Sequence, residues 1–179
     1  MQAPADFDDL WGKDRQKQNL AFTAVLAETV EPVDWAYAVW DDLVAHLASK
    51  DNHDRAIAAQ VLCRLAKSDP DARLDRDFDA LFAITRDERF VTARHTLLAM
   101  WEVGVAGPWQ RERLLGALRD RFSACSSEKN CTLVRNDIAV VLKRVYDITA
   151  DDSVKELALA LIEAEPDAKY RKKYATAWK

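Results

Sequence analysis

The chain has 179 residues, a formal net charge of -4 and a pI near 5.4, so its overall field does not favour nucleic acid or an anionic membrane. Its 4 glycines and 5 prolines are too few for a β-protein built on tight turns, while alanine, leucine and long charged side chains favour helix. No apolar run approaches the roughly 20 residues needed to span a bilayer.

In chain order, the start MQAPADFDDLWGKDRQKQNL is acidic and lacks an apolar segment, so no secretory signal is expected. Helical spacing begins over roughly Arg15–Ala27. Next, Trp35, Val39, Trp40, Leu43, Val44 and Leu47 share one face, and after the polar turn SKDNHD so do Ile57, Val61, Leu62 and Leu65. The same spacing predicts pairs at roughly 74–85 with 89–103, 109–122 with 131–148, and 154–165 with 168–178. Pro32, Pro70 and Pro108 each stand in a polar break before a pair and lie 38 residues apart. An even period of this length is the mark of a repeat array.

The second helix of each pair starts from an arginine: RAIAAQVL at Arg55, RHTLLAMW at Arg94, RNDIAVVL at Arg135 and RKKYATAW at Arg171. These arginines are 39, 41 and 36 residues apart. Offsets of 3, 4 and 7 put Ala58, Ala59 and Leu62 on one face, and likewise Ile138, Ala139 and Leu142. The small residue lets a neighbouring helix approach, and the large one fills the layer between hairpins. A single hairpin cannot bury its apolar stripe, whereas stacked hairpins can.

This pattern resembles the HEAT repeat of the armadillo/HEAT superfamily, whose second helix reads R-x-x-A-A-x-x-L. RAIAAQVL matches it in full, and RNDIAVVL matches with isoleucine at the first alanine. SSEKNCTLVRNDIAVVLKRVYD and EPDAKYRKKYATAWK are also similar to uncharacterised bacterial HEAT-like proteins. The resemblance implies an all-α, right-handed α-α superhelix of about four HEAT-like hairpins plus an N-terminal helix. It implies one domain over 1–179, with repeats at about 34–68, 71–104, 108–148 and 151–179.

Each candidate for chemistry has a plainer structural reading. The arginine column reads as helix-start anchoring, with Asp51 four residues before Arg55 and Asp167 four before Arg171. Of six tryptophans, Trp35, Trp40, Trp101 and Trp178 fall on apolar faces and are expected in the core, with Trp11 and Trp109 more exposed. Three cysteines, Cys63, Cys125 and Cys131, cannot all pair and read as thiols in a reducing cytoplasm. No second close pair accompanies Cys125 and Cys131, so no metal is expected, and no cofactor either. No nucleophile elbow or glycine-rich phosphate loop occurs, so no catalytic residue is assigned.

Charge is unevenly distributed. The second-helix segments 51–67, 87–103, 128–148 and 167–179 hold 14 cations and 9 acids, against 12 and 21 in the remainder. In HEAT-type stacks the second helices line the concave surface. The leading expectation is therefore a non-catalytic cytoplasmic scaffold or adaptor whose concave surface holds a protein or peptide. The expected contact residues are Gln60, Arg64, Asn136, Lys143, Arg144 and Lys172. A second expectation is DNA binding or repair, because some alkylpurine DNA glycosylases are built from similar repeats; there, Asp137 and Trp101 would be the residues to watch. An accessory subunit of an enzyme is a third.

Overall fold

The computed structural model describes residues 4–5 and 7–178. Lys179, counted above in the basic C-terminal segment, and residues 1–3 and 6 of the acidic start lie outside them. All regular structure among the described residues is helical, and none of these helices is long and apolar enough to cross a membrane. The chain divides between Thr96 and Leu97 into two compact units.

In the first unit a 3-10 turn, Phe7–Trp11, leads into α1 (Arg15–Glu28), α2 (Ala36–His46), α3 (Asn52–Leu65), α4 (Arg73–Ala83) and most of α5 (Phe90–Ala99). Carboxylates start α1, α3 and α4 by accepting N–H groups that have no partner within the helix. Asp14 accepts from Gln16 and Lys17 at 3.0 and 3.2 Å, and Asp51 from His53 at 2.8 Å. Buried Asp69 accepts from Arg73 and Leu74 at 2.9 and 2.8 Å, and from the Tyr37 hydroxyl at 2.6 Å. Burial and that bond to Asp69 push the Tyr37 hydroxyl up to about 12.

α2 packs on α3 and α4, and α1 packs on α3. Arg15 meets Asp51 at the start of this last pair and Arg64 meets the Leu26 carbonyl at its end, so α1 and α3 run in the same direction. Leu43, Leu62, Leu65, Leu74 and Leu81 are almost completely buried in the core. Each contributes about 1.5–3 kcal/mol of burial free energy.

The second unit comprises α6 (Trp101–Ala106), α7 (Pro108–Ala124), α8 (Cys131–Thr149), α9 (Asp152–Glu163) and α10 (Ala168–Thr176). Pro108 is the first residue of α7, where its missing N–H costs nothing. α8 packs against α6, α7, α9 and α10. Its buried stripe is Val134, Ile138, Val141, Leu142 and Val145.

Several expectations are corrected. The helix expected over 89–103 is two helices, because the Met100 N–H bonds three residues back, to the Leu97 carbonyl at 3.2 Å. Trp35 and Trp40 are buried as expected, but Trp101 and Trp178 are only partly covered. Cys125 and Cys131 are bonded to one another rather than both being thiols. A 3-10 turn and the start of α8 bring their Cα atoms to 5.1 Å, ordinary disulfide spacing. Cys63 is a buried thiol.

Candidate functional site

Arginine–carboxylate pairs set the helices against one another in both units. Arg15 on α1 bonds Asp51, which caps α3, at 2.6 Å. Arg55 on α3 bonds Asp87, just before α5, and also the Ser49 carbonyl at 2.8 Å. Arg111 on α7 bonds Asp151, the cap of α9, at 2.7 Å. Arg135 on α8 bonds Glu165, just before α10, at 2.9 Å, and the Phe122 carbonyl at 3.1 Å.

The acids four residues before Arg55 and Arg171 are therefore not their partners. Asp51 and Asp167 cap their own helices, while Arg171 turns to Glu163 at 3.1 Å. A carboxylate that accepts backbone N–H groups at a helix start points along the axis, out of reach of the side chain one turn on. The hydrogen bond from Arg15, despite opposing burial, holds the Asp51 carboxyl below the usual carboxylate range. These arginines serve as joints between helices.

In the first unit a groove of about 410 Å³ runs between α1 and α3. Arg15, Gln18, Asn19 and Phe22 line it from α1, and His53, Ala56, Ile57 and Gln60 from α3, with His95 of α5 at its edge. Both helices contribute positions at offsets 0, 3, 4 and 7, one stripe each. Of the expected contact residues, Gln60 lies in this groove, its amide donating to the Ala56 carbonyl at 2.9 Å. Arg64, one turn on, donates to the Leu26 carbonyl at 3.4 Å.

In the second unit Asn136, Lys143 and Arg144 stand on α8 and Lys172 on α10. Lys143 pairs with Asp147, and the Arg144 guanidinium lies 3.5 Å from the centre of the Trp101 ring. Lys172 is exposed. Val140 and Ile148, 39% and 56% exposed, share the stripe of Asn136 and Arg144, one residue per turn. On the flank toward α10, the Trp178 indole N–H donates to the Ala139 carbonyl at 3.1 Å and its ring lies 5.7 Å from Tyr146.

Asp137, the acid of the DNA-repair expectation, is only 2% exposed. Trp109 is exposed as expected, whereas Trp11 stacks on His46 at 3.6 Å and donates to Asp42 at 2.8 Å. A second groove, about 540 Å³, lies between α7 and the start of α9, lined by Arg111, Leu115, Gly116, Arg119 and Ser153 among others. Among the described residues no group of three or more His, Cys, Asp or Glu side chains is placed to hold a metal ion. No protein-family model, curated protein or solved structure matches the chain.

Proposed function

We propose that this chain is a HEAT-like repeat scaffold, a short right-handed superhelix, that binds a protein or peptide on its second-helix surfaces without catalysis. One observation carries the reading. On α8 the arginine-led positions Ile138, Ala139 and Leu142 are buried at 0%, 3% and 0% exposure, which turns Val140 and Arg144 outward. A helix whose repeat positions are spent on packing and whose opposite stripe mixes aliphatic and cationic groups suits recognition of another chain. The groove beside Gln60 gives the first unit a recess of its own, within the size range of binding sites.

The test is affinity purification from the native cell with the wild type and with K143E/K172E. Lys143 forms only an exposed pair within its helix and Lys172 is exposed, so the melting temperature is expected to fall by less than roughly 3 °C. A protein held by the wild type and released by the variant supports the reading. The same proteins held by both overturn it.

A further inference from the structure

We infer that the exposed stripe of α8 takes an extended acidic segment of the pattern apolar-x-acidic-x-apolar. The inference rests on the scaffold reading above and names the partner's chemistry.

The stripe presents Val140, Arg144 and Ile148 in that order, each one turn from the next. At about 1.5 Å rise per residue, Val140 and Ile148 stand about 12 Å apart along the axis with the Arg144 backbone midway and its guanidinium against Trp101. An extended peptide advances about 3.3 Å per residue and turns alternate side chains to the same side. Its residues i, i+2 and i+4 therefore span about 13 Å on one face, a close match to the three positions on α8. Apolar residues at i and i+4 would meet Val140 and Ile148, and a carboxylate at i+2 would meet Arg144.

The electrostatics favour an acid at the middle position. α8 and α10 together carry seven cations and two acids, although the chain as a whole is at -4. Asp137 is buried, Lys143 and Asp147 pair with one another, and Arg135 and Arg171 pair with Glu165 and Glu163, which leaves Arg144 and the lysines of α10 without a paired acid among the described residues. Lys169, Lys172 and Lys173 on α10 are all exposed and add positive charge to the same unit. The Arg144 guanidinium is already set against the Trp101 ring, which restricts it before a carboxylate arrives. One exposed cation between two aliphatic groups is sparse for a phosphate backbone, whose affinity grows with the number of phosphates neutralised.

The experiment is fluorescence anisotropy on the full chain with fluorescein-labelled synthetic peptides. The probe is Glu-Leu-Ser-Glu-Ser-Leu-Glu. One control has Gln at the central Glu, and a second has the same composition with the two leucines adjacent. A single-stranded oligodeoxynucleotide of matched charge is the fourth ligand. The probe is expected to bind about tenfold more tightly than either control peptide. Arg144→Gln should erase the preference for Glu over Gln, and Ile148→Ser the preference for the spaced over the adjacent leucines. Ile148 is 56% exposed, so the second variant tests the pattern without endangering the fold. Equal binding of the three peptides, or preferences unchanged in both variants, overturns the inference. If none of the peptides binds while K143E/K172E still releases a native partner, the inference fails and the scaffold reading stands. Binding of the oligonucleotide in place of the peptides overturns both.

Discussion

Arg55 and Asp87 meet through two hydrogen bonds, Nε to Oδ2 at 2.6 Å and Nη2 to Oδ1 at 2.9 Å, although 32 residues separate them. The pair is well shielded, with side chains 12% and 4% exposed. Burial pushes the Asp87 carboxyl up, but the bonds from Arg55 and from the Arg89 N–H outweigh it, and the group ionises more readily than a free aspartate. One carboxylate thus holds the turn before α5 and ties it to α3. Arg135 and Glu165 repeat the arrangement in the second unit, where Glu165 also accepts the Asp167 N–H at 3.1 Å.

Arg55→Met leaves the Asp87 charge shielded and without its main partner. A loss of about 3 kcal/mol is expected, since breaking one side of a buried pair costs more than the pair contributes. Replacing both residues by aliphatic ones should recover part of that loss. Urea denaturation measures both variants. A loss below about 1 kcal/mol for Arg55→Met would show that solvent screens the pair as it does exposed ones.

Asp77 gives the fold an acid-sensitive joint. Its Oδ2 accepts the Trp40 indole N–H at 2.9 Å within the core, and both carboxylate oxygens accept from Arg76 at 2.8 Å. The Arg76 bonds lower its pKa most, burial opposes them, and the Trp40 bond adds to the lowering. A folded value below the ordinary 3.8 means that the unfolded chain binds the proton first. The resulting stability is complete above that ordinary value and is lost as pH falls through the folded one. Asp77→Asn is expected to cost about 1–2 kcal/mol at pH 7, because Arg76 is largely exposed and Asn still accepts from Trp40. Below the folded pKa the two proteins should converge. Chemical denaturation followed by tryptophan fluorescence from neutral pH to acid checks this, and a gap that stays constant into acid would contradict it.

What the sequence made legible was whatever local spacing determines. On α8 the offsets 3, 4 and 7 from Arg135 picked out Ile138, Ala139 and Leu142, and all three are buried. From Arg94 the same offsets hold only in part: Leu97 is buried, while Leu98 and Trp101 are only partly covered. In α5 the buried residues include Thr92, Ala93, Thr96 and Leu97, so Arg94 faces outward and Leu98 is only partly covered. A shared residue type does not reveal which side of a helix meets the core. The roles of Asp87 and Glu165 are not legible in the sequence, because 32 and 30 residues separate them from their arginines, beyond the reach of helical periodicity. The groove of the first unit is not legible for another reason: the proline-spaced hairpins begin only after α1. Yet Arg15, Gln18, Asn19 and Phe22 carry the arginine-led spacing, and Arg15 reaches the cap of α3 as Arg55 reaches Asp87 in the turn before α5. That recurrence was the available signal.

Two glycines in the second unit should respond to the same substitution with opposite sign. A Cβ on Gly104 would lie 2.6 Å from Val145 Cγ2 and 3.1 Å from Leu114 Cδ2, because α6 lies that close to α8. Overpacking of this kind costs about 1–3 kcal/mol, and the better helix propensity of alanine returns at most about 1. Gly104→Ala is therefore expected to destabilise by about 1 kcal/mol or more, and Val145→Ala in the same chain should remove most of the clash. A Cβ on Gly116 meets nothing within 4 Å, since the residue lines the open groove of α7. There only the propensity acts, and Gly116→Ala should stabilise by up to about 1 kcal/mol. Thermal melts of the two single variants, one lowered and one raised, test the close approach of α6 to α8 directly. If both rise, the helices have room to separate, and the contact between Gly104 and Val145 is not what sets their distance.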